Sequence, residues 1–294
     1  MNQTLRYILA ILLVVVGSVA IVFPEMTGYE AINEKALDIV DGALMENVRT
    51  FAVVSGIKAG LAVIEGSTMG AVIVTVEIGD LAQPVYDFVD YVWKILVYAL
   101  LVLSLYKFIL EFGLLSFGVR ILGVGVLVGA VRILAFSGEG KTPRSHIYQV
   151  IGEYLPILTR AAILSGLLLA YLAPITVLAS HSLERFLTEP VKERESEAIG
   201  EFQSQFDRLK DEFLSVREDI SLSHPKESSD QIRARMRLIG RVLLNSLNSS
   251  IHAFLYYLVI LFVEIIVFPL MTAFILYKFT QFAMNRFLPR KSSE

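Results

Sequence analysis

Residues 251–277 form an unbroken apolar run that holds one formal charge, Glu264. Hydrocarbon about 30 Å thick takes about 20 helical residues to cross, and it tolerates no unpaired backbone groups. A run of this length therefore constrains the chain to a transmembrane helix. Residues 5–23 make a second run, with Arg6 near its start, and residues 161–179 a third, with Arg160 immediately before it. Two further runs are interrupted. Residues 92–110 contain Lys94 and Lys107, and residues 112–136 contain Arg120 and Arg132. Their uncharged cores are each about 17–18 Å of helix, short of a full crossing unless the basic side chains snorkel to the interfaces. The expected fold is an all-α integral membrane protein with four to five transmembrane helices.

Composition agrees. The chain is 55% hydrophobic and 19% charged, against about 45–50% and 25% in soluble domains. That excess excludes a disordered chain and an ordinary soluble enzyme. A net charge of −3 excludes a nucleic-acid binder with a broad basic surface. With no cysteine, disulfides, thiolate metal sites and cysteine nucleophiles are excluded as well.

The charge is segregated along the chain. Residues 24–91 carry 11 acidic and 3 basic residues, and residues 181–250 carry 13 and 11. The remaining residues carry 5 acidic and 12 basic ones. Basic residues near short loops stay on the cytoplasmic side. The expected domains are an N-terminal anchor (1–23), an acidic extramembrane insertion (24–91), membrane segments with a basic loop (92–180, loop 137–147), a helical hairpin (181–250), a last transmembrane helix (251–277) and a basic tail (278–294). A cleaved signal peptide competes for 1–23, because Ser18, Val19 and Ala20 offer the small residues of a cleavage site. The expected location is an inner membrane of bacterial type, with 24–91 and 181–250 outside and the C-terminus cytoplasmic. That arrangement requires an even number of crossings, whereas the apolar runs number five.

The hairpin is the most legible polar feature. Ile199, Phe202, Phe206, Leu209, Phe213, Val216 and Ile220 recur at alternating steps of three and four, a heptad seam. Ser223, His224, Pro225 and Lys226 break it, and Ile232, Met236, Ile239 and Leu243 resume a matching seam. An antiparallel coiled-coil hairpin follows, its first helix acidic and its second carrying Arg233, Arg235, Arg237 and Arg241. In the acidic insertion, Tyr29, Ile32, Ala36, Ile39 and Ala43 mark an amphipathic helix. Residues 70–79 read as a strand, with Val72, Val74, Val76 and Ile78 on one face between glycines. The insertion is thus expected to be α+β, its lone strand paired either by another copy or by a further strand nearby.

Few residues suggest chemistry. A carboxylate in mid-span is expensive and marks a functional site by default, so Glu264 is expected in an ion pathway or in an intramembrane ion pair with Arg120, Arg132 or Arg160. Gly125 and Gly129 satisfy the close-packing spacing of membrane helices. Together with Phe202, Phe206, Leu209, Phe213, Val72, Val74 and Val76 they are the candidate oligomerisation residues. Residues 135–142 match a relaxed phosphate-loop pattern, but an apolar membrane run precedes them and Pro143 follows, so they read as a basic loop. His146, His181, His224 and His252 lack metal-ligand spacing, and Glu111, Glu139 and Glu153 are scattered. Tyr91, Trp93 and Lys94 read as an interfacial belt.

No cofactor or metal is implied. The expected partners are the bilayer, further copies of the chain and an extramembrane protein docking on the hairpin, with no nucleic acid. The expected function is a non-enzymatic, homo-oligomeric membrane scaffold. The alternative is an oligomeric channel for ions or small solutes with Glu264 in or near its pathway.

Overall fold

A computed structural model describes residues 3–66, 76–112, 114–136, 146–222 and 229–287. The described residues are helical, with no strand among them. Helices α1 (Gln3–Val22) and α2 (Tyr29–Gly66) are joined through a 3-10 turn, Pro24–Thr27, closed by Gly28 at φ 75°. Only glycine adopts that left-handed conformation without strain. Then follow α3 (Val76–Glu111), α4 (Leu114–Phe136), α5 (His146–Leu187), α6 (Glu189–Leu222) and α7 (Ser229–Phe262). A π-helical turn, Val263–Val267, leads into α8 (Phe268–Phe287).

One expectation needs correction. Among the described residues the acidic insertion is helical and not α+β: residues 29–66 form one helix, and Val76 and Ile78 lie in α3. An isolated strand leaves its backbone groups unpaired, whereas a helix satisfies them within the segment. Val72 and Val74 fall outside the described residues. Against the four to five spans expected, six helices are long and apolar enough to cross a membrane. The sixth arises because 51–64, too short to span alone, is continuous with the amphipathic stretch before it. The merged segment Tyr29–Ile64 has 36 residues.

The chain divides into two compact units. The first comprises Met1–Asp41, Ser104–Ser182 and Val267–Glu294. Here α1 packs on α4, with backbones close enough that a Cβ on Gly17 would lie 2.9 Å from the Gly123 carbonyl oxygen. Another face of α4 meets α5. A Cβ on Gly118 would lie 2.5 Å from the Ala170 nitrogen, and one on Gly166 2.5 Å from the Leu122 nitrogen. Asn33 Nδ2 donates to the Leu110 carbonyl at 3.2 Å, Lys107 pairs with Asp41 at 2.7 Å, and the Ser180 and Thr272 hydroxyls approach to 3.3 Å.

The second unit comprises Gly42–Leu103 and Leu183–Ile266. It is built from parts of α2 and α3 together with α6, α7 and the end of α5. Val54, Ile57, Leu61 and Ile64 of α2 and Val85, Val89, Val92 and Leu96 of α3 are buried at alternating steps of three and four. Trp93 Nε1 donates to Ser55 Oγ at 3.0 Å and Lys58 pairs with Asp90 at 2.7 Å, contacts that run these two helices antiparallel. Lys58 also sits 4.1 Å from the Trp93 ring centroid. Trp93, expected in an interfacial belt, is half-buried against α2.

Helices α6 and α7 pack together. Phe202 meets Phe254 edge-on at 5.6 Å, while Ser246 Oγ donates to Gln205 Oε1 at 2.9 Å. Partner numbers fall on one helix as they rise on the other, so these two also run antiparallel. Ile199, Phe202, Phe206, Leu209 and Phe213 are buried along α6, with Ile239 and Leu243 buried on α7. Gly60 of α2 admits the Phe206 ring: a Cβ there would come within 2.6 Å of it. Phe88 of α3 meets Phe254 edge-on at 5.8 Å.

Candidate functional site

Within the second unit, the aromatic core gives way to a layer of charge. Lys192 Nζ lies 2.9 Å from Glu264 Oε2, 3.2 Å from Glu46 Oε2 and 3.2 Å from Glu184 Oε1. An ammonium has three protons to donate, and three carboxylates receive them. The Lys192 and Glu264 side chains are only 7% and 6% exposed. Thr188 Oγ1 donates to the other Glu264 oxygen, Oε1. In the adjoining layer the Thr50 hydroxyl meets the buried Tyr257 hydroxyl at 2.9 Å.

Local sequence explains the convergence. The break between α5 and α6 falls at Thr188, just before Glu189-Pro190. Proline has no N–H to continue a helix and clashes with the preceding turn. The Thr188 carbonyl instead accepts from the Val191 and Lys192 amides at 3.0 and 2.9 Å. This turn gathers Glu184, Thr188 and Lys192 on one side. Glu46 comes from α2, one helical turn before Thr50, and Glu264 comes from the π turn. Pro269 lies four residues after Ile265, where it removes the bond that an α-helix would make to that carbonyl. A π turn accommodates such a loss.

The layer holds charge firmly. Burial works against a charged Lys192, but Glu264, Glu46 and Glu184 outweigh it and hold the ammonium well above its ordinary value of 10.5. A lysine fixed in its protonated form is neither nucleophile nor general base at neutral pH. The arrangement can therefore tie three helical segments together, and its chemistry is that of an ion-pair lock. Among the described residues no group of His, Cys, Asp and Glu is arranged to hold a metal ion.

Glu264 was expected beside Arg120, Arg132 or Arg160; its partner is Lys192. Arg120 and Arg132 are exposed and Arg160 is half-buried, all three in the first unit. Gly125 and Gly129 face α5 of the same chain, where added Cβ atoms would lie 2.9 Å from the Ile163 nitrogen and 3.4 Å from Thr159 Cγ2. Phe202, Phe206, Leu209 and Phe213 fill the core of the second unit. Val76 is helical. Residues 137–142 of the phosphate-loop pattern and His224 lie outside the described residues.

Sequence reasoning missed Lys192, although a signal was present. Lys192 lies one heptad before Ile199, and Glu195 one heptad before Phe202. Both are buried, so the seam continues through them with polar residues. Asn47, one heptad before Val54, is its buried counterpart on α2. Comparison with known proteins finds no matching family model, curated protein or solved structure.

Proposed function

We propose that the protein is a non-enzymatic integral membrane scaffold: four helices cross the bilayer, and a bundle of two helical hairpins stands outside it. The observation that carries this reading is the Lys192–Glu264 layer. A polar layer in an otherwise apolar seam fixes register and partner choice between helices, which is what a rigid scaffold requires. The alternative role for Glu264, lining a channel, needs a carboxylate facing a water-filled path. Here Lys192 and Thr188 of its own chain engage it.

Helix lengths favour four crossings. Helices α1, α4 and α8 have 20, 23 and 20 residues, each about 30–35 Å long and matched to one bilayer. With α5 they form most of the first unit. The parts of α2 and α3 in the second unit carry Glu46, Arg49, Lys58, Asp87, Asp90 and Lys94. Such charges are rare within hydrocarbon and ordinary in an extramembrane bundle. Four satisfies the even number that the charges require, as six also does. It puts the basic loop at 137–147 and the tail at 278–294 in the cytoplasm, and both hairpins outside.

Self-association belongs to the same proposal. In this topology the last crossing starts at Phe268, not at residue 251 as the apolar run alone suggests. Tyr256, Val259 and Phe262, an exposed apolar stripe on α7, therefore fall outside the bilayer, where lipid does not cover them. Light scattering of the detergent-solubilised protein should give a homo-oligomer; a monomer overturns self-association. Reconstituted planar bilayers should show no conductance. A conductance altered by Glu264→Gln would establish the channel instead.

A further inference from the structure

The first unit contains a cavity of about 290 Å³ that the scaffold reading does not use. Its walls come from α3, α4, α5 and α8, including Leu110, Leu115, Ala173, Thr176, Pro269 and Ala273. Every wall residue lies in a helix apolar enough to cross a membrane, and all but Tyr106 and Thr176 are apolar. The volume is at the lower end of small-molecule sites. At the rim Leu270 is 65% and Leu169 39% exposed, so the cavity opens sideways among lipid-facing side chains. Bulk is withheld where it would close the space: α5 and α8 present the alanines Ala173 and Ala273.

One polar atom in this wall is unaccounted for. Thr176 is 7% exposed, and its Oγ1 is buried with no hydrogen-bond partner. Buried threonines in helices usually donate to a carbonyl of the preceding turn, as Thr159 does to Leu155 and Thr272 to Phe268. A buried hydroxyl left unpaired in an apolar wall is costly. An apolar cavity in hydrocarbon likewise forfeits dispersion contacts that a ligand would restore.

We infer that this cavity binds one hydrocarbon chain of a membrane lipid, with an oxygen of that lipid hydrogen-bonded to Thr176. The wall joins the start of α4, the start of α8 and the later half of α5. In the four-crossing topology these are the outward ends of all three helices, so the lipid comes from the outer leaflet. That last step rests on the proposed topology; the cavity and its occupant do not.

Full-length protein in phosphatidylcholine vesicles, with a photoactivatable diazirine on the lipid acyl chain, provides the test. Crosslinks mapped by peptide mass spectrometry should concentrate on residues 168–177 and 269–273. Ala273→Phe should fill the space and cut those crosslinks about ten-fold, leaving labelling at outward-facing Phe108 and Phe117 unchanged. If that variant loses its helical circular dichroism or its monodispersity, Ala273→Leu takes its place. Wall labelling that survives filling of the cavity overturns the proposal. Thr176→Val keeps the shape and removes the hydroxyl, and should lower wall labelling about five-fold, the worth of one hydrogen bond. Unchanged labelling in that variant overturns the role of Thr176. Neither result depends on which side of the membrane the hairpins occupy.

Discussion

Lys192 is the residue on which the second unit's polar layer turns, because its three donors reach Glu46, Glu184 and Glu264. Removing it leaves the Glu264 carboxylate buried beside Thr188 alone. Lys192→Met should therefore destabilise the unit by about 3–5 kcal/mol, the usual penalty for breaking a buried pair from one side. Lys192→Met combined with Glu264→Met removes both charges and should recover most of that loss. Thermal unfolding of the three proteins in one detergent checks both statements, and a harmless Lys192→Met would show that the pair is not buried as described. The pH response follows from the same contacts. The folded-state pKa of Lys192 is raised, so its stabilisation is complete below the ordinary value of 10.5 and fades as pH rises beyond it. Lysine titration should leave stability level between pH 6 and 9, with the fall beginning above about pH 10.5. Melting curves across that range, run beside Lys192→Met, should show a steeper alkaline fall in the wild type than in the variant.

Helices in this chain are shaped by small residues as much as by apolar ones, and glycine has opposite value in different places. At Gly166 an added methyl would meet the Leu122 backbone nitrogen at 2.5 Å, whereas at Gly200 of α6 it would meet nothing within 4 Å. Gly166→Ala should cost about 1–3 kcal/mol by overpacking α4 against α5. Gly200→Ala should stabilise α6 by about 0.8–1 kcal/mol through helix propensity. Apparent melting temperatures moving in opposite directions would check the pair. The same contrast shows what sequence can reveal. The small-residue spacing at Gly125 and Gly129 was visible, but not whether α5 or a second chain would fill it. The α6 seam was legible from Ile199 to Phe213 because apolar periodicity reports burial directly. It faded at Glu195 and Lys192 because a charged residue in a seam looks like its end. The strand expected at 70–79 came from β-branched alternation. That pattern reports a preference for a pleated surface, and no neighbouring strand exists among the described residues to make one.

At the scale of the whole molecule, composition separates membrane from water only along the sequence, and a long helix can belong to both. Helix α5 has 42 residues, about 63 Å, roughly twice the hydrocarbon thickness. Helices α2 and α3, with 38 and 36 residues, are also longer than one crossing needs. Apolar windows alone therefore count six spans, because the core of a bundle is as apolar as a lipid-facing helix. In the proposed four-crossing reading, the apolar positions at 54–64 and 85–96 serve the bundle, where Val54, Ile57, Leu61, Ile64, Val85, Val89, Val92 and Leu96 are buried within their own unit. The two readings make opposite statements about the α2–α3 connection. With four crossings, Ser67 lies on the outer side together with Ser228, while Thr142 and Ser293 lie in the cytoplasm. With six, Ser67 moves to the cytoplasmic side and joins Thr142. The chain has no cysteine, so each position can carry the sole thiol. In sealed cells, Ser67→Cys and Ser228→Cys should react with a membrane-impermeant maleimide, whereas Thr142→Cys and Ser293→Cys should react only after permeabilisation. A Ser67→Cys thiol that stays protected until permeabilisation would make α2 and α3 true spans and place the Lys58–Asp90 pair within the bilayer.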